Sequence, residues 1–92
     1  MEYNHLEAVK EMIGITGEYQ DQKVKNYINE VIAYMIEAGV RKDVANGATA
    51  IGVVARGVDD IWNHNSGEVK LSQYFKERVI QLVYKQDEEA ET

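Results

Sequence analysis

One aspartate and one histidine have the spacing of a possible metal-binding pair. Asp60 and His64 are four residues apart, which places both side chains on one side of a helix. The chain has only two histidines and no second pair of this kind, so a site with three or four ligands is hard to assemble. We therefore predict that His64 is a solvated residue at a helix end and that His5 is an ordinary surface residue. No metal or cofactor is expected.

The remaining reactive side chains do not form a catalytic set. The chain has no cysteine nucleophile, and its spacing indicates neither a serine, histidine and aspartate triad nor a carboxylate pair in an apolar pocket. Asp60 follows Arg56 by one helical turn, which predicts an ion pair between these two residues. The sequence therefore predicts that the protein is not an enzyme.

Three glycines recur every five residues, at Gly47, Gly52 and Gly57. A phosphate-binding loop requires Lys and then Ser or Thr directly after its last glycine, whereas Val58 and Asp59 stand there. Each glycine inside a helix costs up to about 1 kcal/mol relative to alanine, so packing must compensate for it. We predict that a neighbouring helix or subunit approaches closely at Gly57.

These residues belong to the segment Val44–Trp62, the longest stretch with one strong helical stripe. A helix of about 18 residues is about 27 Å long and must cross the whole domain, so we predict that it is central. Its core face carries Val44, Ala48, Ile51, Val54, Ala55, Val58, Ile61 and Trp62. Its opposite arc has little charge for a solvent-facing surface, which suggests that something covers that side too.

Three further helices are predicted around the central one. The first is short and runs from a capping box at Asn4 and Glu7 to a left-handed cap at Gly14. Its apolar stripe consists of Leu6, Val9, Met12 and Ile13. The second runs from about residue 21 to residue 38, with Asp21 as its N-cap and Gly39 as its stop.

The short link 40–43 offers Asp43 as a cap for the central helix, and a loop follows Trp62. The last helix begins with Ser72 as its N-cap and turns Phe75, Val79 and Leu82 inward. The predicted fold is all-α, a small bundle of four helices around a central helix 44–62. We expect one domain, residues 1–86, followed by a disordered acidic tail, residues 87–92.

Composition limits the possible classes of function. The 92 residues carry a net charge of −6, and four of the 16 acidic residues lie in the tail, so residues 1–86 are close to neutral. A chain without a basic stripe is not expected to bind nucleic acid mainly through phosphates. No apolar run approaches the ~20 residues that span a bilayer, and the N-terminus lacks an apolar signal segment. We therefore expect a soluble protein that is not exported.

Apolar side chains outside the predicted core face form the remaining candidate site. They lie on the back of the central helix, on the back of the last helix and beside the second helix, where Tyr34 and Ile36 are found. Three helices together favour a protein–protein surface over isolated exposed residues. The residues predicted to line subunit contacts are Val53, Arg56, Gly57, Ile80 and Tyr84.

The arrangement resembles the small head–tail connector, or adaptor, proteins of tailed bacteriophages and prophages, which are also grouped with DNA-packaging proteins. The resemblance covers residues 7–84 and rests on sequence patterns rather than catalytic signatures. The patterns are VKEMIGI at 9–15, the helix that begins at Asp21 and stops at Gly39, DIWN at 60–63, and LSQYF at 71–75 leading to VIQL at 79–82. Two departures are the absence of Pro ahead of the central helix and Val83-Tyr84 where a basic residue often follows Gln-Leu.

The resemblance implies a structural subunit without enzymatic activity that forms a ring under the portal and lets DNA pass. The implied partners are other copies of the chain, the portal protein and a tail or head-completion protein. The implied location is the head–tail junction of the virion, and the bacterial cytoplasm during assembly or as a prophage product. The alternative is a helical DNA-binding or regulatory domain, although the loop after Trp62 is too long for a helix-turn-helix.

Overall fold

In the computed structural model, which describes residues 5–62 and 71–90, the chain folds into five α-helices. The helices are α1 (His5–Ile13), α2 (Asp21–Glu37), α3 (Lys42–Ala45), α4 (Ile51–Trp62) and α5 (Gln73–Ala90), and a 3₁₀ turn spans Ala48–Ala50. The described residues include no β-strand. The predicted all-α fold is therefore confirmed. The Asn4 cap and the loop containing His64 lie outside the described residues.

Helix α4 contacts α1, α2 and α5, so its predicted central position is confirmed. It contributes six buried residues in twelve positions, which is more than one stripe of an amphipathic helix would bury. The fully buried large side chains from the surrounding helices include Val9, Val24, Val31, Met35, Phe75 and Val79. One apolar core is thus built around α4.

The prediction of one continuous helix over 44–62 is wrong at its N-terminal end, because the helix is interrupted at Asn46 and Gly47. Gly47 has an extended backbone, with φ −94° and ψ 170°, and the Asn46 side-chain amide donates to the carbonyl of Lys42 at 2.9 Å. Such side-chain bonds to the backbone compete with helix formation. Asp43 lies inside the short α3 and pairs with Arg41 at 3.4 Å, so it does not cap α4.

The predicted stops of the first two helices are confirmed. Gly14 and Gly39 have φ values of +79° and +113°, in the left-handed region that favours glycine. After each glycine, the next backbone amide folds back onto the helix. The amide of Ile15 donates to the backbone carbonyl of Lys10 at 2.9 Å, and the amide of Val40 donates to the backbone carbonyl of Met35 at 3.0 Å. These bonds satisfy carbonyls that have no partner within the helix.

Lys10 holds the segment between α1 and α2. Its ammonium lies 2.6 Å from the carboxylate of Asp21 and also donates to the carbonyl of Gly17. The side-chain hydrogen bond with Asp21 raises the pKa of Lys10 above its ordinary value, despite the opposing effect of burial. Asp21 is the first residue of α2, and Gln20 holds the N-cap position, so the prediction of Asp21 as the N-cap was wrong.

His5 is buried, and its prediction as a surface residue was wrong. Its side chain is 4% exposed, and Nε2 donates to the carbonyl of Ala45 at 3.0 Å. Ala45 is the last residue of α3 and is itself buried. The contact therefore links α1 to α3 across forty positions of sequence. No local pattern in the sequence indicates such a partner.

Two polar side chains fix α5. The amide of Phe75 donates to the Ser72 hydroxyl at 3.1 Å, which confirms Ser72 as the N-cap. Gln86 is 5% exposed; its Nε2 donates to the carbonyl of Gly39 at 2.7 Å, and its Oε1 accepts from the amide of Arg41 at 2.9 Å. Gln86 thus ties the far part of α5 to the link between α2 and α3.

Helix α5 extends to Ala90, beyond the boundary at residue 86 that was predicted for a disordered tail. Adding a residue to an existing helix requires much less free energy than starting one, and Glu and Ala favour the helical conformation. Residues 91 and 92 lie outside the described ones. No helix that the structure describes combines the length and apolar character needed to cross a bilayer.

Candidate protein–protein interface

The outward side of α5 exposes two large apolar residues one helical turn apart. Ile80 is 52% exposed and Tyr84 is 67% exposed, whereas Phe75 and Val79 on the inner side are buried. The core is therefore complete without Ile80 and Tyr84. Their outward placement agrees with the sequence-based expectation, and their role in subunit contacts remains a prediction.

Val53 and Gly57 do not lie on an outer surface, so their prediction as outward-facing interface residues was wrong. Val53 is 1% exposed, and Gly57 is buried. The physical reason is that α1, α2 and α5 all pack against α4, so the helix is covered on more than one side. The side of α4 that carries little charge is thus covered by neighbouring helices of the same chain.

Gly57 is the point at which α2 and α5 approach α4 most closely. A Cβ atom added there would lie 2.6 Å from Cε1 of Phe75 and 2.8 Å from Cγ1 of Val31. Both distances are shorter than side-chain contacts allow. The predicted close approach at Gly57 is confirmed, and the approaching groups belong to neighbouring helices of the same chain.

Arg56, the remaining predicted interface residue on α4, is exposed and pairs with Asp60. Its Nε lies 3.4 Å from Oδ1 of Asp60, which confirms the predicted ion pair. The other carboxylate oxygen of Asp60 accepts the backbone amide of Ser72 at 3.0 Å. Asp60 thus links the α4 surface to the start of α5.

A groove beside Arg56 is a surface feature that the sequence did not predict. It lies between α1, α4 and the start of α5 and has a volume of about 330 Å³. Its lining residues are Met12, Ile13, Gly52, Ala55, Arg56, Asp59, Tyr74 and Arg78. Met12 is 60% exposed, so its prediction as part of the buried stripe of α1 was wrong.

Tyr74 organises the charged wall of this groove. The guanidinium carbons of Arg56 and Arg78 lie 5.5 and 5.8 Å from the centre of its ring, within the range of cation–π attraction. Arg78 also donates from Nη1 to the Tyr74 hydroxyl at 2.9 Å. Neither Tyr74 nor Arg78 was predicted as a site residue. Their spacing of four residues on one helix is the only local signal that connects them.

No cluster of three or more potential metal ligands occurs in the part of the chain that the structure describes. His64, the predicted companion of Asp60, lies outside the described residues. The arrangement of described residues offers apolar contact and charge recognition.

Comparison of the chain with protein-family models, with curated proteins and with solved structures gives no significant match.

Proposed function

We propose that the protein is a structural head–tail connector subunit of a tailed bacteriophage or prophage. It acts through protein–protein contacts, assembling as a ring under the portal to join the head to the tail and let DNA pass. The family resemblance described above supplies this particular function. The all-α fold agrees with that resemblance.

The observation that carries the proposal is the exposure of Ile80 and Tyr84 beside a core that is complete without them. Two large apolar residues one turn apart on a well-formed helix provide a rigid contact surface. The groove at Met12 and Tyr74 provides a second surface of different character. A subunit in a ring needs two unlike surfaces, because head-to-tail neighbours contact each other through different patches.

The two surfaces are also oriented differently. On α5, Tyr74 and Ile80 are six residues apart, which corresponds to a rotation of about 120° around the helix axis. A neighbour bound at the groove therefore leaves the Ile80 and Tyr84 side accessible to another molecule. This separation supports a repeated assembly of the kind that a ring requires.

The direct test is a mass measurement on the purified protein over a concentration series, alone and with its portal protein. A connector subunit joins the portal ring in multiple copies, with or without prior self-association. A protein that stays monomeric at every concentration and never joins a portal ring contradicts the proposal.

The alternative, a helical DNA-binding or regulatory domain, is favoured by one observation. Arg56 and Arg78 lie close together on one exposed surface, where they are able to contact phosphates. The net charge of −6 opposes this alternative, because binding to duplex DNA depends mainly on phosphate neutralisation. A gel-shift experiment at low salt separates the two, since the connector is expected to bind duplex DNA weakly and without sequence preference.

A further inference from the structure

The groove between α1, α4 and α5 has two arginines and one aspartate among its described lining residues. Arg56 and Arg78 both stack near Tyr74, and among the described residues no carboxylate pairs with Arg78. Among the described lining residues Asp59 is the only acidic one, and Asp60, whose side chain is 11% exposed, pairs with Arg56. Two guanidinium groups held beside one ring favour a ligand that brings carboxylates.

The opposite wall of the groove is apolar. Met12 and Ile13 from α1 and Ala55 from α4 line it, and Met12 and Tyr74 are 60% and 52% exposed. A ligand that matches both walls combines at least one apolar or aromatic side chain with several acidic ones. A nucleic-acid backbone matches the arginines but offers nothing to the apolar wall.

The end of α5 has this composition. The exposed Tyr84 is followed within seven residues by four acidic ones, Asp87, Glu88, Glu89 and Glu91. The helix runs without a break from Gln73 to Ala90. Asp87 is therefore about 13 Å beyond Arg78 along the helix axis, and the acidic end leads away from the groove of its own molecule.

Because α5 cannot fold back onto its own start, a second molecule must supply the ligand. We propose that this groove binds the acidic end of α5, residues 84–92, from a second copy of the chain. Tyr84 contacts the apolar wall, and carboxylates of the acidic end pair with Arg56 and Arg78. Such a contact joins unlike surfaces and repeats head to tail, so it forms a ring or an open chain. This inference rests on the proposed function and specifies its subunit contact.

The first experiment titrates ¹⁵N- and methyl-labelled full-length protein with a synthetic peptide of residues 84–92 and follows the NMR signals. We expect saturable shifts at the Met12 methyl and the Tyr74 amide that weaken with added salt. Arg78→Gln is expected to raise the peptide dissociation constant at least about tenfold, because charge-assisted contacts are lost. Lys76→Gln removes one positive charge from an exposed position of the same helix outside the groove and is expected to change it less than about twofold.

Three results would overturn this inference. The first is that the peptide produces no saturable shifts at Met12 and Tyr74. The second is that the shifts lie elsewhere. The third is that Arg78→Gln and Lys76→Gln weaken binding equally. A fourth is that a short DNA duplex displaces the peptide and binds more tightly through Arg78, which identifies a phosphate site instead. Thermal unfolding of both variants checks that each remains folded.

The second experiment uses the portal-bound assembly and distinguishes this inference from the proposed function. Ending the chain after Gln86 removes the acidic end and keeps both hydrogen bonds of Gln86. Arg78→Glu is expected to reduce the number of subunits bound to the portal at least about tenfold at limiting protein concentration. Changing the four acidic residues of the Arg78→Glu protein to Lys is expected to restore the number of bound subunits. If truncated and Arg78→Glu proteins assemble normally, the groove contact is wrong while the connector function stands. If wild-type protein never joins the portal, the proposed function fails, and the peptide titration still decides the groove contact.

Discussion

Cε1 of Phe75 lies 2.6 Å from the position that a Cβ atom on Gly57 would occupy. Val31 closes the same space from α2, and both side chains are almost completely buried. Because Val31 is β-branched and Phe75 is enclosed by the core, neither side chain moves aside easily. Gly57 thus allows α2, α4 and α5 to meet.

Gly57→Ala is expected to destabilise the protein by about 1–2 kcal/mol, because overpacking outweighs the gain in helix propensity. Gly52→Ala is the matched control, since no atom lies within 4 Å of the added Cβ. It should be neutral or stabilising by about 0.5 kcal/mol. Urea unfolding measures both variants. If both substitutions stabilise the protein, the close approach at Gly57 is wrong.

Gln86 provides a second stability test. Gln86→Ala removes the bonds to the Gly39 carbonyl and the Arg41 amide, so the free energy of unfolding is expected to fall by about 2 kcal/mol. Gln81 is an exposed glutamine on the same helix, and Gln81→Ala should change stability by less than about 0.5 kcal/mol. Equal effects of the two substitutions in urea unfolding would show that Gln86 does not fix α5 in this way.

The Lys10 and Asp21 pair predicts a pH dependence. The pKa of Lys10 is raised in the folded protein, so its contribution is fully present below the ordinary lysine value of 10.5 and is lost as pH rises through the higher folded value. Lys10→Met should lower the unfolding midpoint at neutral pH, and the difference from wild type should shrink above pH 10.5. The midpoints are measured in urea across this range. A difference that persists unchanged at the most alkaline pH contradicts the assignment.

Local sequence chemistry predicted the C-terminal ends of α1 and α2, the N-cap of α5 and the close contact at Gly57. Glycine enters the left-handed region cheaply, so Gly14 and Gly39 stop their helices as expected, and the unusual cost of a glycine inside a helix pointed to Gly57. The N-cap at Ser72 was also predictable, because its hydrogen bond joins residues only three positions apart.

Features that depend on residues far apart in the chain were not predictable. Val53 was assigned to an outer surface because one stripe per helix was assumed, whereas three helices cover α4. His5 is buried and hydrogen-bonds to the backbone carbonyl of Ala45, forty positions away. The groove brings Arg56 against Tyr74 and Arg78 from another helix, and no periodicity within one helix contains that information.

The central claim is that the exposed apolar pair on α5 contacts other proteins. Ile80→Gln with Tyr84→Gln should leave the free energy of unfolding within about 0.5 kcal/mol per site of wild type, because both side chains are largely exposed. Tyr19→Gln is the control, since Tyr19 is 98% exposed and lies in the segment between α1 and α2.

The most direct test is the mass of the assembly that each of these proteins forms, alone over a concentration series and with the portal ring. We expect wild type and Tyr19→Gln to assemble alike, and the Ile80 and Tyr84 double variant to remain monomeric and unbound. Assembly of the double variant at the wild-type level, or a wild-type protein that is monomeric under both conditions, would contradict the claim.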